Sequence, residues 1–209
     1  MYINPQPSEV YLTSLYNEDY FSSENKELGY VNYGNEEVGR INKFKKYLSI
    51  IEKFHIKNKQ VFDIGAGFGY FLGEAQKRGW EISGVELSKY AKNEAEKRLG
   101  IDIVESLGEL SSLLKYNLIT MFDFIEHVRS PMDMLKALSN ISDKGSLLMV
   151  RVPVVCSKEG IRKGDSFFRI DHLYNFSKEI IIGMIKKVGY DILEVMDEPA
   201  HVMIVARRS

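Results

Sequence analysis

A single cysteine, Cys156, stands among the 209 residues, which excludes any internal disulfide. No Cys or His lies at metal-site spacing from it, so it reads as a small residue following a strand. No run of 18 or more apolar residues exists, which excludes a membrane-spanning helix. Met1 to Glu9 shows no charged-then-apolar leader, and a cytoplasmic location is the expectation. Charge of one sign is also missing. The formal net charge is -1, so no whole-chain field recruits nucleic acid or an anionic membrane. Nor does any basic stripe interleave with stacking aromatics. Repeats and low-complexity tracts are absent. What remains is ordinary for a globular protein, 44% hydrophobic and 27% charged, and long enough for one α/β domain with an appendage.

Against that background, Val61 to Tyr70 is the informative stretch. Gln60 to Ile64 is a short apolar run with β-branched residues, the pattern of a buried parallel strand. Gly65, Gly67 and Gly69 follow at alternate positions, and Phe68, Phe71, Leu72 and Ala75 then begin a helical period. A strand, a glycine turn and a helix form the nucleotide-binding crevice of a doubly wound sheet. The dinucleotide pattern Gly-x-Gly-x-x-Gly is not met, because its third glycine position is Tyr70. What stands instead is Asp-x-Gly-x-Gly-x-Gly, from Asp63 to Gly69. An acid ahead of the glycines would repel a pyrophosphate and suits a ligand carrying an ammonium group. Trp80 to Val85 is the next strand, and it ends in Glu86, 21 residues after Gly65. An acid there can accept both hydroxyls of a ribose, a spacing that fits more than one nucleoside cofactor.

The rest of the chain alternates strand and helix. Strands are expected at Gln60–Ile64, Glu81–Val85, Asp102–Val104, Tyr116–Phe122, Ser146–Val150, Asp191–Met196 and His201–Ala206. Helices are expected near Tyr70–Arg78, Lys89–Leu99, Pro131–Ser139 and Lys178–Val188. Ser88 can cap the second of these, Pro131 suits a first turn, and Gly189 suits a helix stop. This order predicts a mostly parallel, seven-stranded sheet with right-handed crossovers. Only Asp197 to Ala200 joins the last two strands, so they form an antiparallel hairpin at one edge. Residues 1–57 read as a separate N-terminal segment and 58–209 as the nucleotide-binding domain. The segment is rich in aromatics (Tyr2, Tyr11, Tyr16, Tyr20, Phe21, Tyr30, Tyr33) and ends in an amphipathic helix, Ile41 to Phe54. Those aromatics either pack the segment onto the sheet or form a lid over the crevice, where their faces would favour a cation.

The motif from Asp63 to Gly69 resembles the first motif of the class I S-adenosylmethionine-dependent methyltransferases. Glu86-Leu87-Ser88 is similar to their second. The strand order, with its closing hairpin, agrees with their Rossmann-like α/β fold. The resemblance covers roughly Tyr30 to Val205. It implies S-adenosylmethionine as cofactor, with Asp63, Gly65, Ala66, Gly67 and Gly69 along its methionine part. It further implies Glu86 and Leu87 at the ribose, Ser106 and Leu107 at the adenine, and Phe122 and Asp123 nearby. Asp123-Phe124-Ile125-Glu126-His127-Val128 resembles one branch in particular, which includes the ubiquinone-biosynthesis O-methyltransferases and many sugar or natural-product methyltransferases. Asp171-His172-Leu173-Tyr174-Asn175-Phe176-Ser177 is similar to a second element of that branch.

The branch associates its acid-x-x-Glu-His group with a divalent metal, so the resemblance implies Mg²⁺ on Asp123, Glu126 and His127. This chain has Asp where those enzymes typically have Glu. Alternatively His127 is a general base, as an imidazole titrating near 6.5 permits. Or Glu126 caps a turn and His127 bonds to backbone. His172 is a second candidate base, and Glu126 completes the catalytic candidates. Arg151, ahead of the long insert Ser157 to Asn175, and Arg162 and Arg169 within it flank the region of His172 and offer donors to an anionic substrate such as a nucleotide-linked sugar or a carboxylate.

The expected function is methyl transfer to oxygen or carbon of a small molecule, with no nucleic-acid partner; a homodimer is left open. Two rivals stand beside it: a non-catalytic S-adenosylmethionine-binding adaptor or sensor, and an NAD-dependent oxidoreductase.

Overall fold

A computed structural model describes residues 2–22, 37–109, 114–154 and 169–209. Tyr30, Tyr33, Cys156, Arg162 and most of the insert beginning at Ser157 lie outside the described residues. Six strands form the mixed sheet of the fold, and two compact units divide the chain: Ser8–Ser111, and Met1–Pro7 with Ser112–Ser209.

The unit Ser8–Ser111 opens with α1 (Glu9–Leu15), α2 (Glu18–Ser22) and α3 (Glu37–Ile51). Tyr47, Leu48, Ile50 and Ile51 bury one side of α3. Strand β1 (Gln60–Ile64) leads through the glycine turn into α4 (Tyr70–Lys77). β2 (Glu81–Val85) pairs parallel to β1 in register Gln60↔Glu81 to Ile64↔Val85. Helix α5 (Lys89–Leu99) buries Ala91, Ala95 and Leu99, one residue per turn, on a single face. Both strands match the expected bounds.

The turn can form because Gly69 caps α4 with φ +72°, a backbone that costs an L side chain about 1–2 kcal/mol. A Cβ at Gly69 would stand 2.8 Å from Leu99 Cδ1 and 3.2 Å from Ala95 Cβ. The third glycine thus does two things: it supplies the left-handed turn and lets α5 pack closely.

The aromatics of the first helices are packed. Tyr20 and Phe21 are buried with Phe68, Tyr70 and Ala91, and Tyr16, Phe44 and Tyr90 lie against them. Phe21 stacks on Phe68 of the glycine turn at 5.3 Å between ring centroids. Ser88 joins the same assembly. Its hydroxyl accepts from Ala91 N, capping α5, and donates to the Tyr16 carbonyl at 2.7 Å.

The second unit carries β3 (Tyr116–Phe122), α6 (Pro131–Ala137), β4 (Ser142–Pro153), α7 (Lys178–Lys187), β5 (Tyr190–Glu198) and β6 (His201–Arg208). β4 runs parallel to β3 and antiparallel to β6, with β5 outermost on β6. The antiparallel hairpin therefore closes one edge, as its short link predicts. β4 is buried on both faces from Ser146 to Val152, while β5 alternates, as an edge strand does.

Two expectations are corrected. Asp102–Val104 is not a strand: its pairing is the single bridge Val85↔Val104, so the sheet has six strands rather than seven. Gly100, at φ +69°, and the bend at Glu105 leave too few extended residues for a ladder. β4 starts at Ser142 rather than Ser146. Asp143-Lys144-Gly145 does not end the approach to the strand, because a register shift lets β4 absorb these residues as a bulge. Among the described residues, no helix is long and apolar enough to cross a membrane.

Candidate functional site

The carboxyl end of β1 holds the first group of candidate residues. Gly65 N and Ala66 N both donate to the Val85 carbonyl, at 2.9 and 3.0 Å, which folds the turn back over the end of β2. Gly67 N then donates to Glu86 Oε2 and Ser88 N to Glu86 Oε1, each at 2.8 Å. The carboxylate is thus held against the glycine turn. Burial raises its pKa, opposed by the N–H donors of Ser88 and Gly67. A carboxylate has about four acceptor positions, and these two bonds take half of them. The remainder suits the two hydroxyls of a ribose.

The other cofactor candidates of this unit lie along the same edge. Asp63 is buried at the end of β1, Ala66 is buried in the turn, and Leu87 is exposed. Ser106 is exposed and precedes the short turn Leu107–Glu109.

A separate group of candidate residues lies in the other unit, beyond β3. Phe122 ends that strand and Asp123 follows with φ +52°, turning the chain into a single 3-10 turn, Ile125–His127. Glu126 is fully buried, and neither of its carboxyl oxygens has a hydrogen-bond partner among the described residues. Burial, reinforced by the charge of Asp123, pushes its pKa well above the usual carboxylate range.

His127 is oriented by its neighbour. Its Nδ1 lies 2.8 Å from the Asp171 carbonyl, which can only accept, so Nδ1 carries the proton and Nε2 the lone pair. Burial lowers the pKa of His127, against the pull of Asp171. His127 Nε2 lies 3.9 Å from Glu126 Oε1. His172 meets His127 edge-on at 4.8 Å between ring centroids, and its Nδ1 has no hydrogen-bond partner among the described residues. Burial, with the nearby His127, lowers His172 to about 3. The result is two neutral imidazoles beside a carboxyl that burial drives toward its neutral form.

Asp171 stands behind them. Burial works to raise its pKa, but Arg169 grips it with Nε at 3.0 Å and Nη2 at 2.7 Å, and the carboxyl titrates far below the usual range. Arg151 is likewise engaged, pairing with Asp123 through Nη1 and with Glu198 Oε2 through Nε at 2.9 Å. Asp123 Oδ1 lies 3.6 Å from His201 Nε2. The two described arginines expected to meet an anionic substrate thus hold internal carboxylates.

The structure therefore brings Glu126, His127 and His172 together and ties Asp123 into a separate ion-pair network. Glu198, His201 and the Asp171 carbonyl carry no sequence signal. The first two are polar residues flanking the turn of the closing hairpin, and the third is a backbone atom.

In the same unit, a cavity of about 540 Å³ opens among Tyr2, Arg129, Met132, Tyr174, Phe176 and Met184. Tyr174 lines it while its backbone N donates to the Glu126 carbonyl, and Tyr174 stacks on Phe176.

A family model described as a methyltransferase domain matches residues 39–195. The chain belongs to the class I S-adenosylmethionine-dependent methyltransferases. Within this family it is similar to a ubiquinone biosynthesis O-methyltransferase of Coxiella burnetii, 29% identical over 111 residues, 49% of this chain and 46% of that one. The chain thus spans about half the length of that relative. A mitochondrial ubiquinone biosynthesis O-methyltransferase of Schizosaccharomyces pombe is 26% identical over 180 residues, covering 71% and 65%. Among solved structures, the magnesium protoporphyrin IX methyltransferase of Synechocystis with bound S-adenosylmethionine superposes with a TM-score of 0.67. It covers 99% of this methyltransferase and 100% of that chain at 15% identity, a likeness of fold.

Proposed function

We propose that this methyltransferase moves the methyl group of S-adenosylmethionine to an oxygen of a small-molecule acceptor. The observation that carries the reading is Glu86, held by Gly67 N and Ser88 N at the glycine turn with acceptor capacity left for a ribose. Asp63, Gly65, Ala66, Gly67 and Gly69 follow the methionine part of the cofactor, Leu87 stands with Glu86 at its ribose, and Ser106 and Leu107 flank its base.

The sulfonium supplies the electrophile, and the protein's work is to place the acceptor and handle its proton. The proton of a hydroxyl acceptor leaves at the Glu126–His127–His172 cluster, where His127 presents a neutral imidazole with its lone pair on Nε2. A cavity of about 540 Å³ is of small-ligand size, and its aromatic lining favours a flat, largely apolar acceptor such as a phenol. With Arg151 and Arg169 on internal carboxylates, a nucleotide-linked sugar has less support.

Calorimetric titration with S-adenosylhomocysteine tests the cofactor half. Binding is expected, and Glu86→Ala should weaken it about 10- to 100-fold, the range for hydrogen bonds to a charged group. A titration in which NAD⁺ binds instead, or in which neither ligand binds, overturns the reading. Transfer of a labelled methyl group to a panel of phenols then separates an enzyme from an adaptor that only binds the cofactor.

A further inference from the structure

Glu126, His127 and His172 each offer one ligand atom, and these atoms lie within 4.8 Å of one another. Their surroundings do not account for them. Glu126 is fully buried with two carboxyl oxygens lacking a hydrogen-bond partner among the described residues, and His172, 6% exposed, lacks one at Nδ1. Buried polar atoms are nearly always satisfied, so three orphan atoms on two residues of this cluster call for an occupant.

The support behind them is that of a metal centre. His127 gives its Nδ1 proton to the Asp171 carbonyl, and the Asp171 carboxylate, clamped by Arg169, stands 3.6 Å from the same nitrogen. A carbonyl or carboxylate behind the far ring nitrogen is what fixes a metal-bound imidazole.

Mg²⁺ on Asp123, Glu126 and His127, implied by the resemblance, does not fit these residues. Asp123 Oδ2 is paired with Arg151; Oδ1 makes no hydrogen bond among the described residues but lies 3.6 Å from His201 Nε2, and Asp123 is not in the group whose ligand atoms lie within 4.8 Å of one another. A hard ion wants oxygen ligands, and the cluster provides one carboxylate against two imidazoles. That set matches ions of borderline softness such as Zn²⁺, Co²⁺, Ni²⁺ or Fe²⁺.

We propose that Glu126, His127 and His172 form a binding site for a divalent transition-metal ion, and that Asp123 is not among its ligands. Ligands about 2.0 Å from a tetrahedral Zn²⁺ stand about 3.3 Å apart, so atoms now within 4.8 Å of one another close by up to about 1.5 Å on loading. Three protein ligands leave a position open for an outside oxygen, and a bound metal there lowers the pKa of a hydroxyl. Only that consequence rests on the methyl-transfer reading; the binding itself does not.

The test is titration of the metal-stripped full chain with Zn²⁺, with Co²⁺ as a spectroscopic stand-in, in the absence of cofactor and acceptor. One equivalent should bind, with Co²⁺ developing visible absorption bands. His172→Ala and Glu126→Gln should each weaken binding at least tenfold, while Asp123→Asn changes it less than threefold. Circular dichroism establishes that each variant is folded, and Glu126→Gln, which preserves shape, serves where His172→Ala does not fold. No stoichiometric uptake, uptake that persists in Glu126→Gln, or Mg²⁺ binding that Asp123→Asn abolishes would overturn the proposal. A parallel S-adenosylhomocysteine titration keeps the two readings apart. Cofactor binding without metal uptake overturns the metal site alone, and metal uptake without cofactor binding overturns the methyl-transfer reading alone.

Discussion

Arg151→Ala should lower the unfolding free energy by about 3–5 kcal/mol, the range for removing one partner of a buried ion pair. Arg151 lies near the end of β4 with only 7% of its surface exposed, and it answers two carboxylates, Asp123 after β3 and Glu198 at the end of β5. Alanine leaves both acids facing each other in a poorly hydrated place, with a cavity where the guanidinium stood. Urea denaturation reads the loss as a lower midpoint at unchanged slope. The triple replacement Arg151→Met, Asp123→Asn, Glu198→Gln should recover most of it, since an uncharged set removes the stranded acids along with the cation. A loss under 1 kcal/mol would mean that Arg151 is not the keystone its position suggests. The prediction reaches the site as well, because Asp123 turns the chain into the segment bearing Glu126 and His127.

His127→Ala should reduce kcat by 10²- to 10⁴-fold, the usual worth of a positioned proton acceptor, with cofactor affinity changed less than threefold. The loss follows whether Nε2 takes the acceptor's proton or holds an ion, because both need its lone pair. Added imidazole tells them apart: it restores turnover by acting as a base, and fails where an ion is missing. The pH profile gives a second check. Burial lowers the pKa of His127 from the ordinary 6.5, so the neutral form persists to lower pH, and the acid limb of kcat/KM should fall below that value. A kcat within threefold of the native value would remove His127 from the chemistry.

Much of this was legible in residue order. The glycine turn, the acid at the tip of β2 and the closing hairpin all follow from local rules: positive-φ positions, a strand's apolar run, and a link too short for a crossover. The same rules overran at Asp102–Val104, where three extended residues after a left-handed glycine support one bridge and no ladder. They stopped short at Ser142, since a bulge looks like a turn in sequence. The candidate site was legible as residues but not as partnerships. Asp123, Glu126 and His127 are adjacent in the chain and read as one group, yet the positive φ at Asp123 separates it from the other two. His172, 45 positions beyond His127, takes its place beside them. Which arginine serves a ligand and which serves a neighbouring carboxylate is a tertiary fact, and Arg151 and Arg169 show it.

Ser88 limits what this position could tolerate. At most helix starts Ser, Asp and Asn are interchangeable, because the position asks only for an oxygen that accepts. Here the same oxygen must also give a proton to Tyr16 while its backbone N–H is committed to Glu86. Aspartate would keep the helix, bring a second negative charge beside Glu86 and have no proton to offer. Alanine would remove both the cap on the helix end and the hydrogen bond to the Tyr16 carbonyl. Threonine, with the same hydroxyl, is the replacement that meets both demands. One residue thus ties Tyr16, the start of α5 and Glu86 together, through its hydroxyl to the first two and its backbone N–H to the third, and drift here would loosen all three.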